Sequence, residues 1–522
     1  MFHITQMLDY LQDERLMHYD FDSFLFHWDL NKIKSKTEVT DSVADIITAK
    51  LNRLPKEAME VLKLCAVLGA LFVAKAVPPT AYTVFKYPAE DVEKYLKLLV
   101  EEGLLDSLNN DLMKFVHDKV FESALEQHGA VSTELHLKIG RSLAKLIDVN
   151  GFDNKNLLTQ EKQSIDRRLL FMGTDHLNDA MSLVERDPED LEDLARLNLE
   201  SSRQAAALAA FVPAIKYVET ADSCLDDYCW EEDYDLTLEI RSWLCEMSLV
   251  ANKSDQLQSA AADIIANGQN DIDKVTAYVT AIEDYVNKGQ EEKYLPLAKE
   301  ILAKVGEPLP YEYNKKEIKE KQVKLDELLS TKQIQDILEM DLMTDEKKSA
   351  AVKILSRIGT PVIRTLSGDH QPMKDFIMLR MVELTMEYGI SPESALAFST
   401  YGVYLVMSHT PENIDKAQRY ASLSYSLLEL PDMNKSRARV WVNNILITQW
   451  RKSLSSLTDS LLKAYMFAFK GGDLMAGLQV RQRKCSTLPN YGDSFLLTWI
   501  GSLLLSRQST ITLHAIIILA FP

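Results

Sequence analysis

The stretch from Leu51 to Leu125 has a marked alternation of apolar and polar positions, and it predicts helices separated by a hairpin. One set of residues at helical spacing predicts a helix that begins at Pro55: Met59, Leu62, Ala66 and Gly69. A second set predicts a helix that stops at Gly103: Val92, Tyr95, Leu96 and Leu99. The sequence FVHDKVFESAL, which ends at Leu125, predicts a third helix.

A β-hairpin is predicted between the second and third of these helices. Residues 104–108 and 113–116 are two short runs, and Asn-Asn-Asp at 109–111 joins them in a manner typical of tight turns. Three helices with one hairpin suggest a winged-helix unit, to which we assign residues 40–130. We expect this hairpin to be the only clear β element of the chain.

From residue 167 to 490 the sequence is almost entirely helix-forming, and its apolar residues fall into successive stripes. The first stripe precedes a predicted break at Val212-Pro213: Leu194, Leu197, Ala205, Leu208 and Ala209. Two more follow: Ala214, Tyr217, Val218, Ala221 and Leu225, then Leu236, Ile240, Trp243, Leu244 and Met247. Small residues in such stripes let helices approach closely, as in tetratricopeptide-type hairpins. Because the period is irregular, we predict a degenerate tetratricopeptide-like α-solenoid over 167–490 and a mostly α fold.

Two segments precede and link these regions. Residues 1–39 contain a predicted helix, Ile4 to Arg15, and an aromatic-rich segment that we expect to pack on a neighbouring domain. A further helix is predicted from Thr40 to Leu51, with Asp41 as its cap. Residues 131–166 are predicted to hold a linker helix, Thr133 to Ile147, and a polar loop, Asn150 to Ile165.

The last segment, residues 491–522, is an atypical apolar tail. Arg507 and Gln508 interrupt it, so no run reaches the roughly 18 apolar residues that a membrane span needs. We therefore expect no membrane contact through a spanning helix.

The charge balance changes the list of possible partners. The net charge is −19, and nucleic-acid binders usually carry a basic surface. The second predicted helix, DVEKYLKLLVEEG at 91–103, has four acids and two lysines, so it would repel phosphate as a DNA-recognition helix. We expect no nucleic-acid partner.

Cysteine usage and the N-terminal sequence indicate the compartment. The chain has five cysteines and no CxxC pair, which suits a reducing environment. MFHITQMLDYLQDERL is not a signal peptide, so we predict a cytoplasmic protein. Cys224 and Cys229 are the closest pair; buried small residues describe them better than a zinc site, because no His ligands are near in sequence.

Seven sequence blocks between residues 1 and 490 resemble, in order and spacing, those of large multidomain signalling ATPases. Those proteins fuse an AAA-like ATPase and a long tetratricopeptide-like region to a protein kinase, and in many a GAF domain and a histidine kinase of two-component type follow. The blocks are LNRLPKEAMEVLKLCAVLGALF, FVHDKVFESAL, LHLKIGRSL, ARLNLESSRQAAALAAF, LAKEILAKVGEPLP, VELTMEYGISPESALAFSTYGVYL and LLKAYMFAFKGGDLMAG. The resemblance implies that residues 1–39 are the C-terminal remnant of the ATPase domain.

The motifs that would make this chain an enzyme of that type are not in its sequence. No GxxxxGK[ST] loop, no kinase HRD or DFG motif and no phosphoacceptor histidine block occurs. Gly471-Gly472-Asp473 lacks the Lys and the Ser or Thr that hold phosphate and magnesium. We therefore interpret the chain as a middle piece of such a protein, or a gene model that lost both ends. ATP and Mg²⁺ are expected only in the complete parent protein.

His117-Asp118 is the one candidate site, and no residue is assigned a catalytic or metal-binding role. In the related ATPases, a His-Asp at the junction of hairpin and helix resembles a sensor that touches the nucleotide phosphate, and an imidazole at a helix N-terminus suits that role. The alternative is structural: Asp118 caps the helix and His117 packs beneath it.

These observations predict a non-catalytic regulatory and protein-interaction arm of a signal-transduction ATPase or kinase, which couples nucleotide state to partner binding. Its partners would be other proteins or the ATPase and kinase domains. The alternative is an ATP-binding signalling enzyme, an ATPase or sensor kinase, if the upstream or downstream domains are present.

Overall fold

The computed structural model is predominantly helical, with a small three-stranded antiparallel sheet and many packed helix pairs, which confirms the predicted fold class at this level. It describes Leu11 and residues 16–20, 25–37, 50–108, 111–147, 160–184, 188–365 and 371–487. The chain divides into two compact units: unit 1 is Met1–Ser201 with Ser223–Leu225, and unit 2 is Ser202–Asp222 with Asp226–Pro522.

Unit 1 alternates short helices with short strands. Its strands are β1 (Met17–Asp20), β2 (Leu25–Trp28), β3 (Leu71–Val73), β4 (Leu105–Ser107) and β5 (Leu112–Phe115). Its helices are α1 (Leu30–Thr37), α2 (Lys56–Leu68), α3 (Val77–Phe85), α4 (Ala89–Glu101), α5 (Asp118–His128), α6 (Thr133–Ala144), α7 (Gln160–Asp179) and α8 (Met181–Val184). Helix α9 (Pro188–Ala207) begins in this unit.

The helices predicted around the central hairpin are confirmed. Helix α2 begins after Pro55, whose ring presets φ, and ends at Gly69 with φ 121°. Helix α4 is followed by Gly103 with φ 63°, a conformation that glycine adopts without strain. The predicted hairpin is formed by β4 and β5, with Leu105 opposite Phe115 and Ser107 opposite Met113.

The prediction that this hairpin is the only β element is wrong. Strand β3 also pairs with β5, so the sheet has the order β3-β5-β4, and β1 pairs with β2 in a separate hairpin. Helix α3, between β3 and α4, was not predicted either. A three-residue strand is too short to show alternation, and its partner β5 lies some 40 residues further along the chain.

The core of unit 1 lies between α2, α4, the sheet and the helices that follow. Leu62, Phe72 and Leu99 are fully buried there, and Ile165 and Leu169 of α7 join the same cluster. The predicted polar loop over 150–165 is therefore wrong from Gln160 onward, because α7 needs its first turns to cover this core. The predicted linker helix is confirmed as α6, which ends three residues earlier than predicted.

Unit 2 consists of helices. They are α10 (Phe211–Ser223, which ends at the unit boundary), α11 (Cys229–Glu232), α12 (Tyr234–Val250), α13 (Ser254–Asn267), α14 (Val275–Asn287), α15 (Glu291–Lys304), α16 (Lys315–Thr331), α17 (Ile334–Leu338), α18 (Glu346–Thr365), α19 (Gln371–Tyr388), α20 (Ser394–Val406), α21 (Pro411–Leu427), α22 (Arg437–Thr448), α23 (Thr458–Lys470) and α24 (Leu474–Thr487). In the described part of this unit, β structure is confined to one isolated bridge between Leu342 and Ile390.

Consecutive helices of unit 2 pack as pairs, as the stripes predict: α12 on α13, α14 on α15, α18 on α19, α20 on α21 and α22 on α23. The predicted break at Val212-Pro213 is displaced. The chain turns at residues 208–210, where Ala209 has φ 59°, and Pro213 lies in the first turn of α10. Proline is tolerated there because the first turn of a helix has no partner for its N–H groups.

The helices of unit 2 do not stack only on their neighbours in sequence. Arg439 of α22 binds Glu283 of α14, 156 residues away. A Cβ at Gly472 would lie 2.9 Å from Val250 Cγ1 and 3.2 Å from Phe211 Cζ, so the turn before α24 lies against the first helices of the unit. The array therefore closes on itself, whereas in an open solenoid each repeat contacts only the next.

Three predicted features lie outside the described residues: the helix from Ile4 to Arg15 apart from Leu11, the helix over 40–51 apart from its last two residues, and the tail 491–522. In the aromatic-rich segment, Phe26 and Trp28 on β2 are 45% and 57% exposed. None of the described helices combines the length and the apolar character needed to cross a membrane.

Candidate functional site

His117 and Asp118 lie where the sheet of unit 1 passes into α5. Strand β5 ends at Phe115, whose N–H donates to Ala70 O at 3.1 Å, and Val116 N–H donates to Leu104 O at 3.2 Å. Backbone hydrogen bonds therefore hold the chain in place up to Val116, the residue before His117. The predicted position of the pair, after a hairpin strand and at a helix start, is confirmed.

The side chain of His117 is the N-cap of α5. Its backbone is extended, with φ −151°, and its Nδ1 accepts a hydrogen bond from Lys119 N–H at 3.1 Å. Asp118 is the first residue of the helix and is exposed. The structural alternative therefore had the capping residue wrong: the imidazole caps the helix, and Asp118 adds a negative charge to its first turn.

This cap determines what His117 can offer to a ligand. Because Nδ1 uses its lone pair to accept from Lys119, the neutral ring carries its hydrogen on Nε2. His117 is half-buried at the N-terminus of α5. An imidazole N–H beside the positive end of a helix is a suitable contact for an anionic oxygen.

Other residues that the sequence singled out have ordinary surroundings. Glu231 and Glu232 are exposed on α11, and the side chains of Cys224 and Cys229 are buried. Within the described ranges, His, Cys, Asp and Glu side chains form no group of three or more that is placed to hold a metal ion.

Unit 2 contains a buried charge cluster that the sequence did not reveal. Arg439 Nε donates to Asp473 Oδ2 at 2.6 Å and its Nη2 donates to Glu283 Oε1. Arg357 Nε lies 3.3 Å from the second oxygen of Glu283. These four side chains are 14–18% exposed, and two acids balance two arginines. Asp473 also caps α24, since its Oδ1 accepts from Ala476 N–H at 3.0 Å.

The electrostatics of this cluster favour its ionised form. Burial acts to raise the pKa of Glu283, but the positive charges of Arg439 and Arg357 outweigh it and lower that pKa. Burial likewise opposes ionisation of Asp473, and Arg439 again holds its pKa below the ordinary value. Asp473 belongs to the Gly471-Gly472-Asp473 turn, which lacks the residues of a phosphate-binding loop. Its ion pair with Arg439 connects this turn to α22.

Comparison with known proteins places the chain near signal-transduction proteins. It is 21% identical over 471 aligned residues to the hybrid signal transduction histidine kinase G of Dictyostelium discoideum. The alignment covers 78% of this chain and 14% of that kinase, so the chain corresponds to about one seventh of the length of its relative. No family model matches the chain.

A solved structure was also found. It is the crystal structure of a STAND protein (Signal Transduction ATPase with Numerous Domains) with a tetratricopeptide repeat sensor from Pyrococcus horikoshii. The superposition covers 88% of this chain and 67% of the other, at 12% identity and a TM-score of 0.29. At this score the likeness carries no weight for fold or function.

Proposed function

We propose that the chain is a non-catalytic regulatory and protein-interaction arm of a signal-transduction ATPase or kinase. The observation that carries this proposal is the distant similarity to the Dictyostelium hybrid kinase, which spans most of this chain and a small part of that protein. A segment of this kind is one module among many, and stacked helix pairs provide extended surfaces that can bind proteins.

Two finer assignments belong to the proposal. Residues 40–130 form a winged-helix unit, supported by the order α2, β3, α3, α4, β4, β5 and by a sheet in which β5 lies between β3 and β4. Residues 167–490 form a degenerate tetratricopeptide-like array, supported by the successive helix pairs of unit 2. The array would present the partner-binding surface, and the winged-helix unit would report the state of a nucleotide.

His117 and Asp118 are the proposed contact between this arm and nucleotide. In a protein that includes an ATPase domain, the imidazole of His117 and the N-terminus of α5 would face the phosphates. The chain itself has no residues assigned to hold ATP or Mg²⁺, because the P-loop lysine and the hydroxyl that binds magnesium have no counterpart in its sequence.

A nucleotide titration separates this proposal from its alternative, an ATP-binding signalling enzyme. The purified chain, mixed with a fluorescent ATP analogue and Mg²⁺, should show neither saturable binding nor phosphate release above background. Turnover that disappears on substitution of a residue of this chain would establish the enzyme and overturn the proposal.

A segment exchange tests the regulatory role directly. The part of the Dictyostelium kinase that aligns with this chain would be deleted, or replaced by this chain, and autophosphorylation of the three proteins compared at fixed ATP. We expect deletion to alter the rate and replacement to move it back toward that of the parent kinase. If a correctly folded replacement behaves like the deletion, this chain does not supply the regulatory function.

A further inference from the structure

Two histidines from neighbouring helices meet in unit 1. His136 of α6 and His176 of α7 are 40 residues apart, and their Nδ1 atoms are 2.8 Å apart. His176 is buried, at 8% exposure, and the side chain of His136 is 18% exposed. The helices approach closely because Gly140 lies at the crossing, where a Cβ would come within 2.6 Å of Leu177 Cγ.

The short distance between the rings restricts their protonation. At 2.8 Å one Nδ1–H must donate to the lone pair of the other Nδ1, because two N–H groups or two lone pairs would repel each other. The contact is compatible with two neutral rings or with one neutral and one cationic ring. It is incompatible with two imidazolium ions.

The surroundings decide which ring stays neutral. Asp179 Oδ2 lies 3.4 Å from His136 Nδ1. Burial lowers the pKa of His176 to about 4, His136 adds to this effect, and the charge of Asp179 opposes it.

The other elements packed on α6 and α7 bring little further charge to the pair. Helices α3 and α8 have no charged residue in their sequences. From α9, Asp190 is neutralised by an ion pair with Arg141 of α6, and Asn198 exchanges hydrogen bonds with Asn178 of α7. The charge state of this crossing is therefore set by His136, His176 and Asp179.

We propose that the His136–His176 pair is an acid-sensitive latch, which holds α6 against α7 near neutral pH and releases it once both rings are protonated. Helix α7 also packs on β3, and α6 packs on α3, so release would loosen the outer helical layer of unit 1 and leave its sheet in place. The closed crossing binds fewer protons than the open one, so the stability contributed by the latch is complete above about pH 6.5 and is lost as the pH falls toward 4.

The size of the pH effect on opening follows from the difference between the pKa of His176 in the open and in the closed state. With a pKa of about 6.5 in the open state and about 4 in the closed state, His176 alone makes opening roughly 25-fold more favourable at pH 5 than at pH 7.5. The helices that do not contact the pair should show no such change.

The latch is tested by hydrogen–deuterium exchange of the full chain at pH 7.5 and pH 5. The exchange rates are corrected for the intrinsic effect of pH, and a chelator is present so that no metal ion binds the histidines. We expect protection of peptides from α6 and α7 to fall roughly 25-fold in the wild type. The fall should be much smaller in His176→Gln, which removes the group whose pKa the closed crossing lowers, and only partly smaller in His136→Gln, because burial of His176 contributes more to that shift than His136 does. His409→Gln in unit 2 is the control and should respond like the wild type.

Two outcomes would overturn the latch. One is an equal loss of protection at pH 5 in the wild type and in both glutamine variants. The other is an NMR titration in which His136 and His176 both gain a proton near pH 6.5 while α6 and α7 stay protected. If His176→Gln is unfolded at pH 7.5, the NMR titration of the wild type decides the question.

Discussion

At the scale of single residues, His117 combines a structural and a proposed functional role in one ring. Nδ1 satisfies one of the N–H groups at the start of α5 that have no partner within the helix, and the same imidazole is the proposed contact with nucleotide. Asparagine provides a capping oxygen of comparable strength but no imidazole. The two roles can therefore be separated by substitution at this one position.

We expect His117→Ala to lower the free energy of unfolding by about 0.5–2 kcal/mol, because the cap of α5 is lost. His117→Asn should be close to the wild type, since its side chain can accept from Lys119 N–H. Urea denaturation followed by circular dichroism measures both variants. Equal destabilisation by Ala and Asn would show that packing of the ring, not the cap, accounts for the loss.

The sensor role predicts a different pattern in a protein that also contains the ATPase domain. Loss of a contact worth about 1–3 kcal/mol would speed ADP release roughly 5- to 150-fold in both His117→Ala and His117→Asn, and raise basal signalling. Stopped-flow release of a fluorescent ADP gives the rate. An unchanged rate in His117→Asn would falsify the sensor role and leave the cap as the only function of this residue.

At the scale of elements, the packing of α6 on α7 depends on the small size of one position. A methyl group on Gly140 would lie 2.6 Å from Leu177 Cγ and 3.1 Å from the Leu177 backbone nitrogen. Glycine inside a helix is otherwise unfavourable, since it has more backbone freedom to lose than alanine. Its presence in α6 is thus explained by the neighbouring helix and not by the helix itself.

Gly140→Ala should therefore destabilise unit 1 by about 1–3 kcal/mol, because overpacking outweighs the gain in helix propensity. Gly477 of α24 is a matched control: a Cβ there meets only Ala468 Cβ at 3.7 Å, and Gly477→Ala should stabilise by up to about 1 kcal/mol. Differential scanning calorimetry gives the sign of each change. A rise in melting temperature for both variants would show that α6 and α7 can separate freely.

At the scale of unit 2, the closure of the helical array rests on Arg439. Its guanidinium joins Glu283 of α14 to Asp473 before α24, and Arg357 of α18 completes the cluster. Such a cluster costs desolvation energy, but once formed it is expensive to break, because removal of one member leaves a buried charge without its partner. The main effect of the cluster is therefore to specify which helices pack together, and its net contribution to stability is small.

Arg439→Leu is expected to destabilise unit 2 by about 3–5 kcal/mol. Arg203→Leu, which breaks an exposed ion pair with Glu239 in the same unit, should cost less than about 1 kcal/mol. Calorimetry of both variants makes the comparison. Similar losses for the two arginines would mean that the cluster does not hold the array closed.

The cluster of two acids and two arginines also predicts that the stability of unit 2 falls in acid. The pKa values of Glu283 and Asp473 are lowered from 4.5 and 3.8, so their contribution is complete above about pH 4.5 and is lost as the pH falls below these ordinary values. Thermal melting of unit 2 from pH 6 to 3 should show this loss in the wild type and a weaker one in Arg439→Leu. Identical pH profiles in the two proteins would show that ionised Glu283 and Asp473 do not account for the acid sensitivity of unit 2.

Local patterns in the sequence determined which residues form helices. Apolar residues at intervals of three and four predict α2, α4, α9, α10 and α12, and the Asn-rich turn predicts the β4–β5 hairpin, since these signals arise within one element. They also place His117 at the start of α5. The ends of helices were less well predicted, as at α7 and α10. Whether one more turn is stable depends on the tertiary contacts that the turn makes.

Only the tertiary structure decided what joins these elements. Strand β3 reaches β5 across some 40 residues, His136 meets His176 across 40, and Arg439 meets Glu283 across 156. Periodicity records which face of an element is apolar, but not which distant element covers it or which polar groups meet at the crossing. The histidine pair and the closure of unit 2 depend on such encounters, for which a single sequence has no local signal.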